Sequence, residues 1–398
     1  MKVLWVSDDP RYSFVGQSRV TREFVRRMGT WSDARVAGFA PVQADLSDNA
    51  LTVYPIHRRN RAELEAVWKY VFQPDVVVLS HDIFEFGYLP EFREASSARV
   101  IGYFTVDGSP IPSYWNRVLA YCDAIYTPSW WARDVLADAF PQRSAGVIPY
   151  GVDMQTYYPQ DKLAAKRALE VEIRKASPHF GFSFEDACLY VAVGHNQGRK
   201  GTGVAVRAWP EFAKGKKAYF LAIYHIGKIP MAEFVSSETV DTIPLSRSGS
   251  ALVVHDILPE DGLRLVYQAA DYLVHPAMGE GFGLTLLEAM ACGCVPIATD
   301  WSSHTDFCDD INSIPIKDYT LIQGPYGCDR SMVSAQALQE RLEYSYRLWT
   351  DQQPVYEEKR AFGIATAQRY AWDASHAAMR RAVEAVAATP KVPLVTEL

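Results

Sequence analysis

No Cys-x-x-Cys pair occurs among the six cysteines, Cys122, Cys188, Cys292, Cys294, Cys308 and Cys328. Scattered thiols of this kind fit a reduced, cytoplasmic protein better than a zinc site or a disulfide framework. No apolar run is long enough to span a bilayer, although peripheral contact with a membrane surface stays open. The opening Met-Lys-Val-Leu-Trp-Val-Ser-Asp-Asp-Pro reaches two aspartates after one short apolar run, so it reads as a first strand and not as a signal peptide. An excess of positive charge is also missing. Lys and Arg total 40 against 47 Asp and Glu, a net charge of -7, which offers no basic field to a polyanion and argues against general nucleic-acid binding. Asp-x-Asp is absent throughout. The Asp8-Asp9 and Asp309-Asp310 pairs are adjacent residues, which point to opposite sides of an extended chain. Neither a metal site nor a cofactor is expected. There is no internal repeat and no low-complexity tract.

What is present is an alternation of short apolar runs with helical spacing. A chain of 398 residues, 48% hydrophobic and 22% charged, has room for two or three domains with ordinary cores. Strands are expected at Lys2 to Ser7, Ala34 to Phe39, Leu51 to Tyr54, Asp75 to Ser80, Arg99 to Thr105, Ala124 to Thr127 and Gly146 to Pro149, with helices between several of them. Such alternation implies α/β architecture with a parallel sheet covered on both faces, and ligands then bind off the carboxyl ends of the strands. Gly16, His81, Asp82 and Asp107 each follow a strand and so share one rim. Residues 154–186, with a charged helical piece from Asp161 to Lys175, read as a connection. A second series follows from Ala187: strands to Gly194, at Lys217 to Ile223, Leu252 to His255, Asp271 to His275 and Val295 to Thr299, and helices at Gly201 to Ala213 and Glu260 to Ala270. Met231 to Ser250 is polar and reads as a surface excursion. After Asp318 an irregular piece leads to a helix at Ala335 to Leu348 and a second from Val355 to about Ala387.

The most informative stretch is His275 to Gly293. It starts as a strand end, passes Gly279, Gly281 and Gly283, and then reads as a helix. A strand-glycine-helix junction leaves aligned backbone N–H groups at the positive end of the helix dipole, which suits an anion such as a phosphate. Glu280 lies in the turn and Glu288 in the helix, so these carboxylates suit different parts of one elongated ligand. A second junction, Gly194-His195-Asn196-Gln197-Gly198-Arg199-Lys200-Gly201, places two cations beside another helix start, where they could neutralise a diphosphate.

Gly-Glu-Gly-Phe-Gly-Leu-Thr-Leu-Leu-Glu-Ala-Met-Ala-Cys-Gly, 279–293, resembles the Glu-x7-Glu motif of retaining GT-B glycosyltransferases, family 4 in particular. That resemblance implies two Rossmann-like domains with parallel sheets facing across a cleft. It further implies transfer of a sugar from a nucleotide diphosphate-sugar (UDP-, GDP- or ADP-sugar) to an acceptor hydroxyl of unknown identity, with retention. Glu280 would contact the donor sugar, Glu288 the nucleotide ribose, and the backbone of Gly281, Phe282, Gly283 and Leu284 the sugar and diphosphate. The Arg199-Lys200 pair is similar to the family's leaving-group cations, with their roles undivided. Tyr12 to Ser18, with Gly16, resembles the first-domain glycine loop near the donor phosphates. Asp107 stands at or beside the family's histidine near the transferred sugar, while Asp-Gly is also a turn dipeptide and His81-Asp82 is an alternative polar pair. Ile148 to Asp153 is similar to the family's Ile-Pro-Asn-Gly-Val-Asp. The expected domains are thus 1–153, 154–186 as connection, 187–354 on the donor side, and 355–398 as a terminal helix crossing back to the first. An epimerase or phosphorylase of the same fold, or a nucleotide-sugar-binding protein without turnover, are the alternatives.

Overall fold

Val3, Leu4, Trp5 and Val6 are all fully buried, which requires a strand covered on both faces. They form β1 (Lys2–Asp8) in a computed structural model that describes residues 1–11, 16–40, 51–57, 60–94, 96–176, 181–225, 250–255 and 257–391. The chain divides into two units: Met1–Gly151 with Gly324–Cys328 and Trp372–Leu398, and Val152–Gln323 with Asp329–Ala371.

In the first unit β1 is joined by β2 (Asp33–Ala40), β3 (Val53–His57), β4 (Val76–Leu79), β5 (Arg99–Tyr103), β6 (Ala124–Thr127) and β7 (Ala145–Val147). The order is β3-β2-β1-β4-β5-β6-β7, with every pairing parallel. Strand order therefore reverses between β1 and β4. On one face, α1 (Gly16–Met28) lays Phe24 against Trp5, ring centroids 5.3 Å apart. The opposite face carries Leu4, Val6, Val77 and Leu79. Side chains from α2 (Arg61–Ala66), α3 (Leu89–Glu94), α4 (Asn116–Ala120) and α5 (Trp130–Ala139) join that second core.

The second unit contains α6 (Lys162–Ala176), β8 (Cys188–His195), α7 (Thr202–Phe212), β9 (Ala218–His225), β10 (Ala251–Val254), α8 (Glu260–Ala269), β11 (Tyr272–His275), α9 (Leu284–Ala291), β12 (Val295–Thr299) and β13 (Ile314–Ile316). Its sheet runs β10-β9-β8-β11-β12-β13, again parallel, with the reversal between β8 and β11. Helices α10 (Ala335–Asp351) and α11 (Gln353–Arg369) complete it, and α12 (Trp372–Ala388) packs on α1 of the first unit through Trp372 and Phe24 at 5.5 Å. No helix among the described residues is long and apolar enough to cross a membrane.

Two sequence expectations need correction, and one strand is additional. The single helix from Val355 to about Ala387 is two: Tyr370 leaves helical geometry (φ -101, ψ 46), its carbonyl accepts the Val152 N–H at 2.8 Å, and Ala371 forms a bridge with Val152. The irregular piece after Asp318 is an antiparallel hairpin of β14 (Tyr319–Gln323) and β15 (Asp329–Val333). Its tip, Gly324–Cys328, belongs to the first unit, where Tyr326 stacks on Phe84 at 4.5 Å and Cys328 enters the core. Strand β13, an edge strand of three residues that contains Pro315, was not anticipated. Residues 12–15 of the glycine loop and 231–249 of the excursion lie outside the described residues.

Candidate functional site

In a doubly wound sheet the loops at the strand-order reversal diverge to opposite faces and leave a crevice at the carboxyl edge. In the second unit the loops after β8 and β11 carry the two junctions found in the sequence. They meet through their main chains: Met278 N–H donates to the Arg199 carbonyl at 2.8 Å. Gly201 caps the turn into α7 at φ +75, and a Cβ there would lie 2.1 Å from the Pro276 carbonyl oxygen. Only glycine permits both that conformation and that approach.

Across this contact the Lys200 ammonium donates to Glu280 Oε1 at 2.5 Å, and His275 Nε2 reaches the same oxygen at 2.9 Å. The Glu280 N–H donates to Ser302 Oγ at 2.8 Å. Burial pushes the Glu280 carboxyl up, but Lys200, the His275 hydrogen bond and Arg199 outweigh it and hold the acid well below the ordinary 4.5. Glu280 is therefore an ionised acceptor at neutral pH.

Helix α9 begins beside this carboxylate. Gly283 is its N-cap at φ +105 and no side chain caps the helix, so the first main-chain donors are not satisfied by a cap. The Phe282 ring is buried against Phe307 and Tyr370, at 5.4 and 6.1 Å, which leaves that residue only its backbone to offer. Gly281 and Leu284 are half-buried. Glu288 is 2% exposed on α9. Neither glutamate is a solvated surface residue.

The other two sequence candidates are in the first unit. Gly16 opens α1 in unfilled space, with nothing within 4 Å of where a Cβ would stand, and Asp107 is half-buried just beyond β5. Nearby, Thr105 Oγ1 donates to Asp82 Oδ1 at 3.0 Å, His81 Nε2 lies 3.4 Å from Asp8 Oδ1, and Tyr150 OH donates to Gln17 Oε1 at 3.4 Å. Arg11 Nε contacts both oxygens of Asp9, at 2.8 and 3.0 Å.

Sequence reasoning did not assign His275, Ser302 or His304. The available signal was positional: Trp301-Ser302-Ser303-His304 follows β12 as the other loops follow their strands. His304 is fully buried and its Nε2 faces the Thr299 carbonyl at 2.5 Å. Burial, reinforced by His275, lowers its imidazole from 6.5 to about 4. Between those values the unfolded histidine binds a proton that the folded one does not. Stability is thus whole above about pH 6.5 and declines as pH falls towards 4, by on the order of 3 kcal/mol at the full shift. Urea denaturation of wild type and His304→Gln from pH 7 to 4.5 should show the steeper acid decline in wild type. Parallel curves would assign the titration to another group. Glu280, with its depressed pKa, contributes stability that is lost only at lower pH, below about 4.5. Among the described residues no group of His, Cys, Asp and Glu side chains is placed to hold a metal ion.

Residues 187–318 match the family described as Glycosyl transferases group 1. Over 188 residues the chain is 29% identical to D-inositol 3-phosphate glycosyltransferase of Acidothermus cellulolyticus, covering 46% of this chain and 39% of that protein. Over 118 residues it is 33% identical to O-antigen chain mannosyltransferase B of Escherichia coli, covering 29% and 26%. The aligned stretches span less than half the length of these curated relatives. Among solved structures, sucrose-phosphate synthase of Thermosynechococcus elongatus superimposes with a TM-score of 0.73 at 15% identity over 97% of this chain and 99% of that one. Anabaena HepE, solved in complex with UDP and glucose, gives 0.73 at 12% identity over 97% and 100%.

Proposed function

From a chain that has the GT-B fold and whose residues 187–318 match the group 1 glycosyltransferases, we propose a glycosyltransferase. It moves a sugar from a nucleoside diphosphate-sugar to an acceptor hydroxyl, with retention and without a divalent metal. The observation that carries this reading is the constellation at the β8/β11 reversal, where the Arg199-Lys200 loop, the Glu280 carboxylate and the start of α9 share one backbone-bonded junction.

Each part has a physical task. Arg199, Lys200 and the first N–H groups of α9 offset the charge that builds on the departing diphosphate. Glu280, together with the main chain from Gly281 to Leu284, orients the sugar. Glu288 accepts hydrogen bonds from the nucleotide ribose. Recognition of the acceptor is given to the first unit, whose candidate residue is Asp107, and Gly16 is kept as a candidate for the donor phosphates. All six cysteines are buried and none is bridged to another, which fits a reducing, cytoplasmic setting.

The two glutamates separate in a binding experiment. By isothermal titration, Glu288→Ala should weaken binding of the free nucleoside diphosphate by about 1 to 3 kcal/mol, the scale of a charged hydrogen bond. Glu280→Gln should spare that affinity and depress turnover. Equal loss of nucleoside diphosphate affinity in both would mean that the sugar and ribose roles are misassigned. A thermal-shift panel of UDP-, GDP- and ADP-sugars identifies the base, because a bound ligand raises apparent stability by mass action.

A further inference from the structure

Ser302 has φ 74 and ψ -165, a region of backbone space that is almost confined to glycine. It is also fully buried, and a glycine at this position would carry no such strain. The serine contributes an Oγ that glycine lacks, and this atom accepts the Glu280 N–H at 2.8 Å. The Ser302 carbonyl in turn accepts from Thr305 N and Oγ1, at 3.0 and 2.7 Å, which anchors the residue to the turn that follows. On the side-chain end of Glu280, Lys200 and His275 both address Oε1, and among the described residues no hydrogen bond ends on Oε2.

We propose that Ser302 and His275 are positioning residues, which grip Glu280 at its main chain and at Oε1 so that Oε2 is the oxygen presented to the donor sugar. This rests on the assignment of Glu280 to the sugar. An ionised carboxylate oxygen can only accept, so what it selects is a sugar hydroxyl that donates. Rigid aim matters because a site built to bond a hydroxyl discriminates against a sugar that lacks or inverts it. His275 holds the carboxylate from the end of β11, and Ser302 holds its backbone from the loop after β12, so two adjacent strands fix one side chain.

The test uses the full chain and release of nucleoside diphosphate from UDP-glucose, UDP-galactose, GDP-mannose and ADP-glucose. Ser302→Ala removes the hydroxyl and keeps the strain; Ser302→Gly removes the hydroxyl and the strain. We expect both to lose turnover about 10-fold or more and to lose preference among the four donors, while affinity for the free nucleoside diphosphate is held. Ser302→Gly should melt at least ~2 °C above Ser302→Ala. Activity then follows the hydroxyl and stability follows the backbone. His275→Gln, which can still donate from Nε2, should retain more turnover than His275→Phe. Wild-type turnover in Ser302→Gly, or turnover that rises and falls with melting temperature across the set, overturns the proposal while leaving the transferase reading in place. In this assay water takes the sugar, and a wild-type chain that neither binds nor hydrolyses any of the four donors overturns the transferase reading and this proposal with it.

Discussion

Replacing Arg199 and Lys200 together with alanine is expected to lower turnover at least ~100-fold, the scale for losing a preorganised electrostatic contact, while EDTA leaves wild-type turnover unchanged. Breaking a glycosidic bond to a nucleoside diphosphate places negative charge on the leaving group, and some fixed positive charge has to meet it. In this chain the adjacent cations and the uncapped start of α9 are the groups that converge at the reversal of the second sheet. Lys200 has a second partner in Glu280, so the double variant also strips a carboxylate of its cation. Its melting temperature and its affinity for the nucleoside diphosphate therefore have to be measured beside turnover. Arg199→Ala, which leaves the Lys200–Glu280 contact in place, separates the two effects. If activity vanishes on chelation and returns with magnesium or manganese, a metal carries the charge. Near-normal turnover in a folded double variant would place the leaving-group contact elsewhere.

Gly201→Ala should be as severe, for a different reason. The left-handed conformation at φ +75 costs an alanine roughly 1 to 2 kcal/mol. The added Cβ would then meet the Pro276 carbonyl oxygen at 2.1 Å and its carbon at 2.7 Å. These are main-chain atoms at the end of a central strand and cannot rotate aside. The loops after β8 and β11 must part, which breaks the Met278–Arg199 bond and pulls Lys200 from Glu280. We expect a loss above ~3 kcal/mol in urea denaturation and loss of nucleoside diphosphate binding in whatever folds. Gly16→Ala, where nothing lies within 4 Å and φ is not positive, serves as the comparison, with stability held within about 0.5 kcal/mol. A Gly201→Ala chain as stable as Gly16→Ala would mean that the two loops do not touch as described.

The sequence made the parallel strands legible because a strand buried on both faces is apolar at successive positions, as Val3 to Val6 and Tyr272 to Val274 are. The Glu280 turn was legible because three glycines before a helical run have few other uses. Hairpin β14/β15 was not, because its strands are largely exposed or half-buried and show little apolar contrast. The break at Tyr370 escaped because its cause is a hydrogen bond from Val152, more than 200 residues away in sequence. Ser302 was invisible for a related reason. Nothing local marks a serine as left-handed, and its partner Glu280 is brought to it by the pairing of β11 with β12. The meeting of Lys200 with Glu280 likewise depends on β8 lying beside β11, a fact of strand order that neither loop contains.

The first unit is closed by α12, and this bears on how the chain is made. Its sheet is complete in sequence at Val147, yet the face that holds Trp5 and Phe24 also packs Trp372, which sits so close to Gly151 that a Cβ there would fall 2.6 Å from the Trp372 nitrogen. A ribosome working from the amino end must therefore thread the intervening residues of the second unit before that cover arrives, a wait of roughly 10 to 45 s at ordinary elongation rates. For that interval the patch on Phe24 and Gly151 that Trp372 covers lacks its partner. Pauses in translation before Trp372 would lengthen that exposure.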